Sequence, residues 1–281
     1  MTRATTATLG EGPDRGRLGL RPRILITGAA GGIGTAATAE LRRRGATVVG
    51  LDLAGADIEC DVRDQASVDR AVADAIDRLG GGLDVLINNA GLGTPQSAAL
   101  APDDDALAVL DVNLLGPWRV TSAALPALRA SRGRVVNIAS VLAIVTVPFA
   151  TAYTMSKRGV AAYSDTLRLE EGDRITVTTV YPGYIRTRIH ERSTAAGVPL
   201  EGAVPAESVE AAARALARAA LGSPVRDLAT TRQGEVAQRL ARLLPRTLLD
   251  WVITARMRQL ARRGHFDAQG IAGEYTERLR G

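Results

Sequence analysis

The stretch RILITGAAGGIG, residues 23–34, decides how the rest of the chain is read. It begins as a short β-branched apolar run, the pattern of a buried strand, and ends in a glycine-rich turn. TAATAELRRRG (35–45) follows with helical spacing and stops at Gly45. Glycine lets a backbone turn tightly and come close to a phosphate. The helix N-terminus beyond the turn offers free N–H groups and a partial positive charge. Strand, glycine turn and helix in that order point to the pyrophosphate of a dinucleotide, held along Gly28, Gly32, Ile33 and Gly34.

The same alternation continues downstream. TVVGLD (47–52), IECD (58–61), LDVLINNAG (83–91), GRVVNIAS (133–140), ITVTTVYPG (175–183) and VRDLATT (225–231) read as strands. Between them lie helical patterns at 66–80, at 103–130 as one long helix, and from Thr151 to Glu170. The expected fold is α/β: a Rossmann-like, doubly wound parallel sheet of about seven strands, with helices on both faces and a helical C-terminal extension. The expected organisation is a disordered tail at 1–22, a dinucleotide-binding catalytic domain at 23–232, and an extension at 233–281 packed on that domain.

Ligands of such sheets bind outside the carboxyl ends of the strands, so the strand-end residues carry the functional reading. Asp52 ends the second strand, 24 residues beyond Gly28, with Leu53 after it. A carboxylate there accepts bonds from the adenosine ribose hydroxyls and repels a 2′-phosphate, which selects NAD over NADP. Tyr153 and Lys157 stand four apart at the start of a helix and share a face. An ammonium near a phenol favours the phenolate and lowers a pKa that is otherwise about 10. The pair is then a tuned general acid/base. Ser140, at the end of the preceding strand, can hold a substrate oxygen as charge develops on it.

Lys157 is the only lysine among 35 cationic side chains. The composition favours arginine, so a lysine that persists marks a place where a compact point charge serves and a planar fork does not.

These motifs together resemble the short-chain dehydrogenase/reductase family in its compact single-domain form. The resemblance rests on TGAAGGIG, CDV, NNAG, VNLLG, NIAS, YTMSK and YPGYIRT, all in the family's order, and covers about residues 23–230. It implies Tyr153 as general acid/base and Ser140 as the residue that orients the substrate oxygen. It implies that Lys157 bonds the nicotinamide ribose, and that Asn113 completes the tetrad by holding a proton-relaying water. It further implies adenine contacts at Asp61 and Val62, an adenosine-ribose lining of Asn89, Ala90 and Gly91, and a nicotinamide seat of Pro182, Gly183, Ile185 and Thr187. A homodimer or homotetramer is expected, joined through the helices that carry Asn113 and Tyr153.

Two departures from the family's pattern stand out. Only eight residues separate Asp52 from Asp61, too few for the helix often found there, so the adenosine side is expected to be more open. Beyond residue 231 Pro245 is expected to split a basic segment into two helices, with Leu248, Leu249, Val252, Ile253, Met257 and Leu260 largely on one face of the second. The favoured reading packs that face on the body, a partner subunit or the substrate mouth. Peripheral contact with a membrane surface is the alternative.

The substrate is read from the apolar segment VLAIVTVPFA (141–150) and a loop running to 205 that is expected to close over the site. Leu142, Phe149, Tyr184, Ile185 and Ile189 are the wall residues, and they suggest a lipophilic secondary alcohol or ketone, such as a steroid, an alicyclic alcohol or a natural-product intermediate. His190 and His265 are too isolated to ligate a metal.

The charge map argues against nucleic acid as a partner. Residues 1–23 carry a net charge of +3 and residues 239–281 carry +5, in a chain of net +5, so the body between them is mildly acidic. No apolar run is long enough to span a membrane, no secretory leader is recognisable, and Cys60 is the only cysteine. A cytoplasmic NAD-dependent oxidoreductase is the expectation. An NAD(H)-sensing or scaffolding protein on the same fold is the alternative, and would not need to keep the tetrad.

Overall fold

The strand Arg23–Thr27 (β1) alternates between two cores. Ile24 and Ile26 point to one face of the sheet and Leu25 to the other, and all three are fully buried. This places β1 at the centre of a sheet covered on both sides. The computed structural model describes residues 19–199, 206–266 and 270–280. The tail expected at 1–22 falls largely outside them, as does the end of the expected closing loop.

After β1 the elements run α1 (Gly32–Arg43), β2 (Thr47–Asp52), β3 (Ile58–Glu59), α2 (Gln65–Arg78) and β4 (Val85–Asn88). Next come α3 (Asp104–Leu110), α4 (Gly116–Ser131), β5 (Arg134–Ile138), α5 (Thr151–Glu171) and β6 (Thr176–Tyr181). The chain continues through β7 (Tyr184–Ile185), α6 (Glu191–Ala195), β8 (Ala206–Glu207), α7 (Val209–Leu221) and β9 (Asp227–Ala229). It ends with α8 (Arg232–Leu243), α9 (Arg246–Arg262) and α10 (Gly273–Arg280). Seven strands form one parallel sheet in the order β3-β2-β1-β4-β5-β6-β9, while β7 and β8 pair separately. The order reverses between β1 and β4, and the crevice beyond their carboxyl ends is the topological switch point where such sheets take ligands.

One core joins α2, α4 and α5 to the sheet through Val68, Val72, Val120, Leu128 and Leu167. The other joins α1 and α7 through Ala37, Leu41, Ala213 and Leu216. A third cluster of Val198, Met257, Leu260, Ala261 and Phe266 ties the C-terminal helices together, and Phe149 and Tyr275 pack against it with their two rings edge to face at 5.4 Å from each other.

Several expectations need correction. The long helix at 103–130 is not uniform: residues Asp111–Leu115, between α3 and α4, form a π-helical turn. Pro117 has no N–H to give the carbonyl of Asn113, so a regular i→i+4 ladder breaks there. Helix α1 starts at Gly32, earlier than its apolar spacing suggests, because the loop glycines themselves form its first turn. Strand β3 ends at Glu59, since the Asp61 carboxylate turns back to Arg63. In α9 the buried stripe is Met257, Leu260 and Ala261, with Ile253 partly covered, whereas Leu248 and Val252 face outward. The split at Pro245 and the absence of a helix between β2 and β3 are as expected.

Candidate functional site

The glycine turn is built by close approach. Gly28 has φ +67°, and a Cβ there would stand 2.7 Å from Cα of Ala90. A Cβ on Gly34 would reach to 2.0 Å from the Gly28 carbonyl oxygen, so only glycine allows α1 to start this close to β1. No side chain caps α1 and no acid lies in its first turn, which leaves its N-terminal N–H groups to a ligand. Thr187 stands beside Gly32, its Cγ2 3.2 Å from where a Cβ would be. The expected pyrophosphate loop and the expected nicotinamide seat thus meet at one place.

Asp52, at the carboxyl end of β2, accepts from the backbone N–H of Ala30 at 2.9 Å and of Leu53 at 2.8 Å. Its carboxylate is held at the rim of the glycine turn, with acceptor capacity to spare. The Arg42 guanidinium, on α1, is tied to the Val48 carbonyl and to Asp57. Asp61 is paired with Arg63 at 2.7 Å, which together with its other bonds to Arg63 holds its carboxyl below the ordinary range, and Val62 packs beside Gly116. Asn89 spends its side-chain amide on the carbonyls of Thr27 and Gly28, and Thr27 Oγ1 accepts from the N–H groups of Asn89 and Ala90.

Four residues assemble at the end of β5. Lys157 is buried and donates from Nζ to the Ile138 carbonyl at 2.9 Å, with the ammonium 5.6 Å from the Tyr153 ring centre. Asn113 is fully buried in the π-helical turn. Its Oδ1 accepts from the Leu92 N–H at 2.7 Å, and its Nδ2 donates to the Leu92 carbonyl and to Ser156 Oγ. A Cβ on Gly91 would lie 3.4 Å from Asn113 Oδ1 and 3.8 Å from Lys157 Nζ, so both groups converge on one small space. Ser140 caps the 3-10 turn Val141–Ala143, accepting from the Leu142 N–H at 3.2 Å, and its hydroxyl is near enough to the Tyr153 phenol to favour the phenolate.

The electrostatics of the free protein depart from the expectation of a lowered phenol. Burial pushes the Tyr153 pKa up, and the Ser140 hydroxyl offsets this only in part. Burial also pushes the Lys157 ammonium down to about 8. Both groups have lost water, and the Lys157 charge is directed at a carbonyl, so desolvation leads both shifts.

The expected wall residues are dispersed. Leu142 lies in the 3-10 turn after Ser140, and Ile189 backs Gly93. Tyr184 is buried with its ring 4.7 Å from that of His190, and Ile185 is buried beside it. Phe149, at φ +61°, packs on Tyr275 of the extension. Pro182 accepts from the Val141 N–H through its carbonyl.

A family model described as short chain dehydrogenase matches residues 22–197. The chain belongs to the short-chain dehydrogenase family. It is 36% identical to the oxidoreductase UcpA of Escherichia coli over 59% of this chain and 70% of that protein. It is also 36% identical to a granaticin polyketide synthase putative ketoacyl reductase of Streptomyces violaceoruber, over 68% of this chain and 76% of that one. Among solved structures it resembles a short-chain dehydrogenase from Burkholderia cenocepacia in complex with NADP, with a TM-score of 0.68 at 28% identity, covering 83% of this chain and 98% of that one. Membership in a family of oxidoreductases agrees with the seven-stranded sheet and its strand-end residues.

Two residues of this short-chain dehydrogenase escape a reading by motif. Ser156 links Asn113 to the backbone carbonyl of Tyr153, and lies inside the YTMSK string, where its place one residue before Lys157 was the available signal. Glu207 had no signal. Its carboxylate accepts from the Gly183 N–H at 3.0 Å, from Thr231 Oγ1 at 2.8 Å and from Thr230 Oγ1. It ties the Pro182–Gly183 turn to the start of α8, elements about 24 residues away on either side, and only the fold brings them together.

Proposed function

We propose that this protein is an NAD-dependent oxidoreductase that interconverts a secondary alcohol and a ketone, with Tyr153 as general acid/base. The observation that carries this reading is a single lysine buried beneath Tyr153, next to Ser140 and Asn113, at the carboxyl edge of a glycine-turn sheet.

The donor set fits a dinucleotide. The uncapped start of α1 and the Gly28–Gly34 turn would hold the pyrophosphate, Asp52 and Leu53 the adenosine ribose, and Asp61 and Val62 the adenine face. Asn89, Ala90 and Gly91 would line the middle, with Lys157 on the nicotinamide ribose and Pro182, Gly183, Ile185 and Thr187 at the nicotinamide. When bound, that cofactor supplies or accepts the hydride.

The chain's own residues handle the proton. In oxidation Tyr153 Oη takes the proton of the carbinol hydroxyl, and in reduction it returns one to the carbonyl oxygen. Ser140 Oγ donates to the same substrate oxygen and holds it in register. Asn113 keeps the Leu92 peptide in place and leaves, beside Gly91, a space for a water between itself and Lys157.

The carboxylate at Asp52, with Leu53 after it and the Arg42 guanidinium engaged by Val48 and Asp57, supports NAD over NADP. Leu142, partly exposed in the turn directly after Ser140, supports a lipophilic substrate. Exposed Trp118, Met155 and Leu169 on α4 and α5 support a homo-oligomer through that face. Among the described residues no helix is long and apolar enough to cross a membrane, and a cytoplasmic location fits. Residues 23–232 would form the catalytic body and 233–281 the extension.

The test is a screen of lipophilic secondary alcohols with NAD⁺ or NADP⁺, wild type beside Tyr153→Phe, followed by NADH absorbance. Turnover by the wild type alone, with NAD⁺ preferred, supports the reading. NADH binding without turnover on a broad panel would favour a sensing role.

A further inference from the structure

Helix α8 is inside out. Its one buried residue is polar Gln238, which donates to the Tyr181 carbonyl. Val236 and Leu240, two residues to either side, and Leu243 lie on the opposite, outward face. Helix α9 repeats this in its first half: Leu248, Trp251 and Val252 face outward, opposite the buried Met257–Leu260 stripe. The six side chains are between 41% and 81% exposed, and exposed Leu244 lies between the two stripes along the chain. A helix that meets only water keeps its apolar residues on the packed side, so this face is shaped for something that covers it.

The charge around it says what. From Arg232 to Arg263 there are eight arginines and two acids. Glu235 and Asp227 neutralise Arg239 and Arg242, while Arg258 and Arg262 share the side of α9 that carries Trp251. A second copy docked by two-fold symmetry would set arginines against arginines. A partner peptide helix needs a groove, and these are two convex stripes of aliphatic side chains with one tryptophan. Aliphatic depth, an interfacial tryptophan and arginines free to reach phosphates match an anionic bilayer.

We propose that the outward face of α8 and α9 docks the protein on an anionic lipid surface. The cleft of about 330 Å³ lined by Leu249, Ile253, Asp250, Arg246 and Arg158 lies on the inner side of α9, away from that face. The docking does not rest on the function proposed above.

The experiment is co-sedimentation of the full-length protein with phosphatidylcholine vesicles, with and without phosphatidylglycerol, at low and high salt. The wild type should pellet with the anionic vesicles, weakly with the neutral ones, and be released by salt. Leu243→Glu with Trp251→Glu should abolish pelleting while thermal stability and NADH binding stay unchanged. Arg258→Gln with Arg262→Gln should weaken partitioning roughly 30-fold at low salt. A wild type that stays in the supernatant with anionic vesicles, or a Leu243→Glu/Trp251→Glu variant that still pellets, overturns the proposal. So does a molar mass by light scattering that drops in that variant, since the face would then be an interface between copies.

Discussion

Lys157 donates its ammonium to the backbone carbonyl of Ile138, the last residue of β5, across 2.9 Å. The bond fixes a single buried cation at the strand end beneath Tyr153, where a flexible four-carbon stem reaches a point that a planar fork would overfill. Lys157→Arg is therefore expected to lose most activity although the charge is conserved. Steady-state turnover of the purified variant checks it, and a rate near wild type would refute the argument.

The same burial makes Lys157 costly in the free protein. Its folded pKa is about 8 against an ordinary 10.5, so between those values the unfolded chain holds more protons than the folded one. The cost is full below pH 8 and fades as pH rises to about 10.5. Lys157→Met should stabilise the cofactor-free protein at neutral pH by up to about 3 kcal/mol, less the lost hydrogen bond. The advantage should shrink on going to pH 10, as measured by paired thermal melts across pH.

Tyr153 has a raised pKa in the free protein and so is protonated at neutral pH. Alcohol oxidation needs the phenolate, so its kcat/KM should climb with pH through the alkaline range. Carbonyl reduction needs the phenol and should stay level through neutrality and fall at alkaline pH. Tyr153→Phe should lower both by about 10²–10⁴-fold with NADH binding intact. Initial-rate pH profiles and a fluorescence titration check the set, and parallel profiles in the two directions would overturn it.

Asp52 is held on the glycine turn by Ala30 and Leu53 N–H groups. Asp52→Ser removes the charge that opposes a 2′-phosphate while keeping a hydroxyl at the rim. The ratio of kcat/KM for NAD⁺ over NADP⁺ should fall by at least about tenfold, the effect of about 1.4 kcal/mol. An unchanged ratio would remove Asp52 as the selector.

Glu207 accepts from Gly183, Thr230 and Thr231. Glu207→Ala strands these donors and should cost about 2–3 kcal/mol of stability. It should also raise KM for the dinucleotide more than it lowers kcat, because the Pro182–Gly183 turn loses its anchor. Glu207→Gln keeps one acceptor oxygen and should recover part of both. Loss of stability with an unchanged KM would leave Glu207 a structural residue only.

Much of this was legible in the chain itself. The glycine turn, Asp52, Ser140 and the Tyr153–Lys157 pair are local strings, each within one turn or one strand end, and a local string carries its own geometry. The π-helical turn at Asn113 was legible only in part: Pro117 announces a missing donor but not that the helix continues past it. The raised phenol was not legible, because burial depends on what the fold stacks above Tyr153 and a spacing of four residues shows only the nearby ammonium. The outward stripe of α9 was misread for the same reason, since a helix with apolar residues on two sides does not say which side meets the body.

The sequence by itself determined the family, the doubly wound sheet and the residues at its strand ends, because alternating periodicity and glycine turns are properties of neighbours along the chain. The tertiary structure alone decided how Glu207 reaches Gly183, which way α8 and α9 face, and which way burial shifts the Tyr153 and Lys157 pKa values in the free protein. Those outcomes depend on desolvation and on contacts between residues far apart in sequence, and both exist only after the sheet and its helices have closed around them.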